Sequence, residues 1–150
     1  RIKFSERYKA IIDRYNSGNS SNENYYEDLV DFVEDLKEED ERNIKEGLTE
    51  EELELYDLLR KDNLTKKEEE QVKLSAKKLY EAIMREDSET KVVDWYKDEQ
   101  PRRKVKLRVE KVLDDFLPES YSRDIFTRKS EVVFTHLLED AMIGSQRYVS

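Results

Sequence analysis

Apolar side chains recur every three or four residues along most of this chain, and few helix-breaking residues interrupt them. Only 3 glycines and 2 prolines occur among 150 residues, whereas Glu, Lys and Leu, which favour helices, are abundant. Spacings of three and four place side chains on one face of an α-helix. The sequence therefore predicts an all-α fold, an irregular bundle of about five to seven helices.

The pattern also gives approximate helix positions. The predicted helices cover residues 3–16, 26–42, 49–59, 65–83 and 101–117, with a last one from near Ser120 or Lys129 to Ala141. In the second helix the apolar face is formed by Tyr26, Leu29, Val30, Val33 and Leu36. Thr49 with Glu52 and Thr65 with Glu68 have the spacing of capping boxes, which predicts two helix starts. Residues 17–23 are polar and predict a loop.

Composition raises the question of disorder, since 43% of the residues are charged and the mean hydropathy is −1.00. Leu, Ile, Val and Phe still make up about a quarter of the chain, above the roughly 20% below which disorder is expected. We therefore expect one folded domain over residues 1–150. Because the chain begins at Arg1, we expect it to be a fragment of a longer protein. The absence of cysteine and of any long apolar run predicts a soluble, cytoplasmic protein.

One segment concentrates positive charge in a chain whose net charge is −9. Between positions 102 and 111 it has six basic residues and a single acid, Glu110. The basic residues are Arg102, Arg103, Lys104, Lys106, Arg108 and Lys111. On a helical projection most of them lie opposite the apolar stripe, with Leu107 among them, while Arg102 and Lys106 lie at the edge of the stripe.

Two functions fit this basic face. In the first, its charges pair with acidic helices of the same domain. In the second, it contacts a partner, which is either the phosphates of a nucleic acid or an acidic protein surface. No aromatic residue lies among the basic ones, which argues against base stacking. We therefore expect any contact with double-stranded DNA to be non-specific and limited to the backbone. Leu107 is predicted to be a partner contact.

Residues 23–57 have the opposite bias, with 16 acids against 3 bases. Glu27, Asp31 and Asp35 repeat at a spacing of four, at which like charges repel within a helix. One explanation is a solvated surface with basic partners inside the domain. The other is a surface that avoids DNA or mimics it.

No residue pattern indicates catalysis. The chain has no cysteine and no phosphate-binding or serine-nucleophile motif, and its only histidine, His136, is predicted to be structural. We therefore expect no catalytic residues, no metal site and no cofactor in this chain. Trp95, the only tryptophan, is predicted to lie in the core.

Three segments occur in a characteristic order: "TEEELELYDLL" (49–59), "KKLYEAI" (77–83) and "VVDWYKDEQPRRKVKLRVEKVLDDF" (92–116). In this order they resemble the C-terminal region of the restriction subunit, the motor and endonuclease, of type I restriction–modification enzymes. The matching positions are Glu51, Glu52, Tyr56, Asp57 and Leu59, then Val93, Asp94 and Trp95, then the basic helix over 102–113. The resemblance covers about residues 45–117 well and is looser over 118–142, while residues 1–44 contain no motif by which to place them.

The resemblance implies a parent enzyme that translocates and cleaves DNA with ATP and Mg²⁺, a type I site-specific deoxyribonuclease. Its nuclease and helicase motifs would lie upstream of this region, and none of their residues occurs here. The region would be a helical C-terminal domain that docks the motor subunit onto the methyltransferase and specificity subunits. Residues 1–16 would then be a packed arm or a connecting helix.

Overall fold

The computed structural model describes the backbone of residues 4–148 and the side chains of residues 4–144, and this part of the chain contains helices and no strands. Its six α-helices are α1 (Phe4–Asn16), α2 (Asn22–Glu46), α3 (Glu50–Leu59), α4 (Lys66–Met84), α5 (Glu99–Phe116) and α6 (Arg123–Tyr148). The predicted all-α class and number of helices are confirmed. Residue 3 of the predicted first helix lies outside the described residues. None of the six helices is long and apolar enough to cross a membrane.

The chain forms two compact units, residues 1–47 and residues 48–150. That residues 1–150 act together as one C-terminal domain stays a prediction. The first unit is a helical hairpin of α1 and α2, joined by a turn in which Gly18 has a φ of 80°. The second unit contains the other four helices.

In the first unit, aromatic rings join the two helices. The ring of Phe32 lies 5.9 Å from that of Phe4 and 5.7 Å from that of Tyr8, while Tyr15 stacks on Tyr25 at 4.2 Å. Because aromatic rings bury much area for one side chain, a few such contacts hold a short hairpin together.

The predicted apolar face of α2 was wrong for three of its five residues. Tyr26, Val30 and Val33 are exposed to 70%, 37% and 46%. The face that packs on α1 instead contains Tyr25, Leu29, Phe32 and Leu36, which are half-buried. Apolar residues occupy two adjacent arcs of α2, roughly 100° apart, and α1 covers only one of them.

The second unit has one continuous apolar core, to which α3, α4, α5 and α6 all contribute. Its buried members are Leu48, Leu53, Leu55, Tyr56, Leu59, Val72, Ala76, Leu79, Ile83, Val109, Leu113, Leu117, Tyr121 and Val133. The stripes predicted for α3 and α4 are buried, as expected. This core fixes the rotation of α5 about its axis and so decides which of its residues face solvent.

The stretch between α4 and α5 forms two short 3₁₀ turns, Glu89–Lys91 and Trp95–Lys97. Asp94 precedes the second turn with a φ of 57°, and its side chain makes no capping hydrogen bond. Trp95 is 4% exposed and packs against Tyr96 and Phe134, with ring centroids 6.4 Å apart in both cases. Its predicted place in the core is confirmed.

Candidate functional site

The candidate site is the solvent face of α5. The helix has Pro101 in its first turn, where the missing N–H of proline costs no helical hydrogen bond. On one side Val105, Val109 and Leu113 are buried at intervals of four residues. The residues on the opposite side therefore face solvent.

The six basic residues divide by exposure. Arg102, Arg103, Lys104 and Lys111 are exposed, and Lys106 and Arg108 are half-buried. A long lysine or arginine at the edge of an apolar stripe can cover it with its methylene groups and keep its charge in water. The exposed acids Asp114 and Asp115 follow and end the positive surface.

Three of these basic residues have acidic partners within the domain. Arg103 pairs with Glu99 at 2.8 Å and Lys111 with Asp115 at 3.7 Å, both between exposed side chains of α5. Arg108 pairs with Glu89 at 3.3 Å, and both of these side chains are mostly covered. Exposed pairs contribute little stability and are readily exchanged for other partners, so the Arg108 pair is the most structural of the three.

The other three basic residues of α5 are Arg102, Lys104 and Lys106. Among the residues that the structure describes, none of the three forms an ion pair. Their charges are therefore accessible to a partner of opposite sign. They are the best residues on which to test binding.

Leu107 lies in the middle of this face and is 57% exposed. It forms part of an open depression of about 370 Å³ that is also lined by Lys104, Arg108, Lys111 and Glu89. An exposed leucine among mostly cationic side chains suits a partner that offers both an apolar group and negative charge.

A second group of basic residues, for which the sequence gave little indication, lies elsewhere in the same unit. Arg60 and Lys61 follow α3, and Arg128 and Lys129 lie in the second turn of α6. They are nearly 70 positions apart in the chain, so only the packing of α3 against α6 brings them together. The doublets "RK" at 60–61 and 128–129 were the only signal in the sequence.

His136 in α6 lies between two carboxylates. Its Nε2 atom is 3.1 Å from Oε1 of Glu54 and 3.3 Å from Oδ2 of Asp140. These three residues offer one ligand atom each, all within 4.8 Å of one another, and are the group in the described part of the chain that could hold a metal ion. That His136 is structural and binds no metal stays a prediction.

The acidic surface of α2 has partners within its own unit. Arg7 pairs with Asp35 and Arg14 with Asp28, each at 2.6 Å. Glu27 and Asp31, on the same helix, are both exposed. These pairs agree with the interpretation of a solvated acidic surface that has basic partners inside the chain.

Fold and site together define an all-α domain with a basic face on α5 and a second group of basic residues where α3 packs against α6. Over residues 1–141 the chain matches the family described as type I restriction enzyme HindI endonuclease subunit-like, C-terminal. It belongs to this family, as the resemblance of residues 49–116 indicated. No curated protein and no solved structure shows significant similarity to the chain.

Proposed function

We propose that this domain docks the motor and endonuclease subunit of a cytoplasmic type I restriction enzyme onto its methyltransferase and specificity subunits. In this proposal the basic face of α5 also contacts double-stranded DNA through its phosphates. The domain itself is non-catalytic, and ATP and Mg²⁺ act elsewhere in the parent enzyme. The proposal that the parent is the endonuclease subunit of such an enzyme is supported by the family to which the chain belongs, which consists of C-terminal domains of endonuclease subunit-like proteins.

The main observation in favour of a DNA contact is the accessible positive charge on α5. Arg102, Lys104 and Lys106 have no ion-pair partner among the described residues, and they lie on a helix fixed by a buried stripe. Residues 102–111 cover about 15 Å along the helix axis, over which duplex DNA presents several phosphates. The face has no aromatic residue to stack on bases, so binding should not depend on DNA sequence.

The mixed character of this face supports a second, docking role. The open depression at Leu107 combines an exposed leucine with cations. A protein surface with an apolar side chain and carboxylates would cover Leu107 and satisfy Lys104 and Lys111 together. Single exposed leucines are ordinary on monomers, so the argument rests on the combination with charge.

A salt series with labelled duplex DNA tests the contact. The intact chain is compared with a variant that combines Arg102→Gln, Lys104→Gln and Lys106→Gln. Arg108 is left unchanged because its loss would leave the mostly covered Glu89 without that partner. We expect weaker binding, and a slope of log affinity against log salt that flattens by up to about 0.9 for each phosphate that the variant no longer neutralises.

A matched control removes the same charge elsewhere. Lys9, Lys37 and Lys77 lie on other helices and outside the basic face, and changing all three to Gln should reduce affinity far less. If both variants lose affinity equally, only net charge matters and the basic face is not the contact. If the unchanged chain binds no DNA at low salt, the DNA contact is wrong.

A pure protein-interaction module is the second candidate. The internal pairs of Arg103, Arg108 and Lys111 favour it, since they satisfy half of the basic residues within the domain. It predicts that the chain co-purifies with the methyltransferase and specificity subunits but does not shift DNA. Leu107→Asp should then disrupt co-purification, whereas Val93→Asp, at another exposed position, should not.

A further inference from the structure

The second basic group of residues 48–150 surrounds a depression between the end of α3 and the start of α6. Its volume is about 490 Å³, and it is lined by Arg60, Lys61, Asp62, Ile125, Arg128, Lys129 and Val132. Four cations and one carboxylate give these residues a formal charge of +3. We name this depression the α3–α6 cleft.

Two of its cations are fixed by backbone carbonyls. Nζ of Lys129 donates to the carbonyl oxygen of Arg60 at 2.7 Å, and Nζ of Lys61 donates to that of Ser120 at 2.9 Å. Carbonyls at the C-terminal end of a helix attract cations, and Arg60 is the C-cap residue that directly follows α3. Each ammonium has three N–H groups, so a donor remains for a bound anion.

The other two cations are more accessible. The guanidinium groups belong to Arg60 and Arg128, both exposed, and that of Arg60 lies over the ring of Tyr56 at 5.9 Å. Guanidinium groups donate in a planar fork that matches two oxygens of a phosphate. Two fixed ammonium groups and two exposed guanidinium groups thus border one open space.

The cations of the α3–α6 cleft repel one another. Burial lowers the pKa of Lys129, the neighbouring Arg128 lowers it further, and Asp62 acts in the opposite direction. Among the lining residues one carboxylate faces four positive charges, and outside the lining Glu68 offsets part of the charge of Lys61. A bound anion would relieve this repulsion, because it stabilises the charged form of every cation around it.

We propose that the α3–α6 cleft binds a backbone phosphate of duplex DNA, as a second contact separate from the basic face of α5. This inference rests on the proposed DNA-binding function and uses different residues. The residues that line the cleft include no aromatic ring to stack on a base, and the hydroxyl of the nearby Tyr121 is buried and donates to the carbonyl of Leu59. The ligand is therefore a phosphate group and not a nucleobase.

The test changes the two guanidinium groups and leaves the fixed lysines in place. Arg60→Gln with Arg128→Gln is compared with Lys9→Gln with Lys77→Gln, which removes the same charge from exposed positions on α1 and α4. In the intact chain, titrated with labelled duplex DNA across a salt series, we expect the cleft variant to flatten the salt slope by up to about 0.9 for each phosphate no longer neutralised. Arg128→Gln alone, which leaves the contact of Arg60 with Tyr56 intact, should show half of that effect.

The outcomes separate the two proposals. If the cleft variant binds DNA as the unchanged chain does, while the α5 variant is impaired, the cleft inference is overturned and the proposed function stands. If instead the cleft variant is impaired and the α5 variant binds DNA as the unchanged chain does, the cleft inference is supported and the α5 contact is overturned. If neither the chain nor its variants bind DNA, both are overturned.

The alternative ligand of the α3–α6 cleft is a free phosphate ion, which carries the same charged group as the DNA backbone. Inorganic phosphate is added at constant ionic strength and the melting temperature is measured. If phosphate stabilises the unchanged chain but not the cleft variant, and DNA affinity is the same for both, the cleft takes a free phosphate. That result would overturn the assignment to the DNA backbone.

Discussion

Trp95 shows how far a single residue can be interpreted before the fold is known. A lone tryptophan predicts a core position, and its 4% exposure agrees. Its partner Phe134 lies in α6, 39 positions away, and no sequence pattern linked the two. The type of environment was predictable, but the neighbour was not.

Tyr121 has a comparable long-range contact with a polar group. Its hydroxyl donates to the carbonyl oxygen of Leu59 at 2.7 Å in a buried position. Burial raises the pKa of Tyr121 to about 12, with smaller contributions from Tyr56 and from the negative charge of Glu68. The neutral phenol is therefore the form that the fold requires.

This gives a prediction for stability at high pH. Because the pKa of Tyr121 is higher in the folded chain than the usual value of 10.0, its contribution is complete below pH 10. It is lost as the pH rises towards about 12. Tyr121→Phe should lower stability at neutral pH by roughly 1–3 kcal/mol, since the Leu59 carbonyl loses its donor, but should lose less stability than the unchanged chain in alkali.

Urea unfolding at neutral and alkaline pH measures both effects. Tyr26→Phe is the control, because Tyr26 is 70% exposed and its hydroxyl reaches water in the folded chain. If the unchanged chain and Tyr121→Phe lose equal stability in alkali, burial of this hydroxyl does not control the pH dependence.

At the scale of the elements, the helix starts were the most predictable feature. Both capping boxes form: at α3 the backbone N–H of Glu52 donates to Oγ1 of Thr49 at 3.2 Å, and that of Thr49 donates to Oε1 of Glu52 at 2.9 Å. The same exchange joins Thr65 and Glu68 at α4. Glu68 also accepts from the hydroxyl of Ser120, and this bond is the largest single cause of the lowered pKa of Glu68, followed by the hydrogen bond with the backbone of Thr65.

Removing the cap of α4 should destabilise the second unit. Thr65→Ala deletes the side-chain acceptor for the N–H of Glu68, and such changes cost about 1 kcal/mol. Thr65→Ser keeps a hydroxyl and should recover most of the loss. Urea unfolding followed by far-UV circular dichroism compares the three proteins, and equal losses for Ala and Ser would show that the cap hydrogen bond is not the cause.

The buried face of α2 shows what the spacing of apolar residues within one helix cannot predict. Periodicity predicted a helix but could not decide which of two apolar arcs would pack, since Phe32 and Val33 are adjacent in sequence and about 100° apart on the helix. The aromatic contacts of Phe32 with α1 decided it.

At the scale of the whole molecule, the division at residue 47 suggests independent folding of the larger unit. Every member of its buried core lies between Leu48 and Val133. A unit that has its own apolar core can fold alone. The short α1–α2 hairpin has one buried apolar residue, Ile11, among the described positions of residues 1–47.

We therefore expect a fragment of residues 48–150 to unfold in one cooperative transition. Leu79→Ala in this fragment should cost about 2–5 kcal/mol, because Leu79 is fully buried in the core. Leu74→Ala, at a 44% exposed position of the same helix, should cost much less. A fragment without a cooperative transition, or equal losses for both variants, would contradict this expectation.

The sequence by itself determined the helical class, both capping boxes, the buried stripes of α3 and α4 and the solvent-facing side of α5 on which most of its basic residues lie. These features depend on residues within one or two turns of each other, so local spacing is sufficient. Only the tertiary structure decided that Arg60 lies near Lys129, that Glu54 faces His136 and that α1 covers Phe32 but not Val33. Such contacts join residues far apart in the chain, and they depend on how helices pack, which spacing within one helix does not specify.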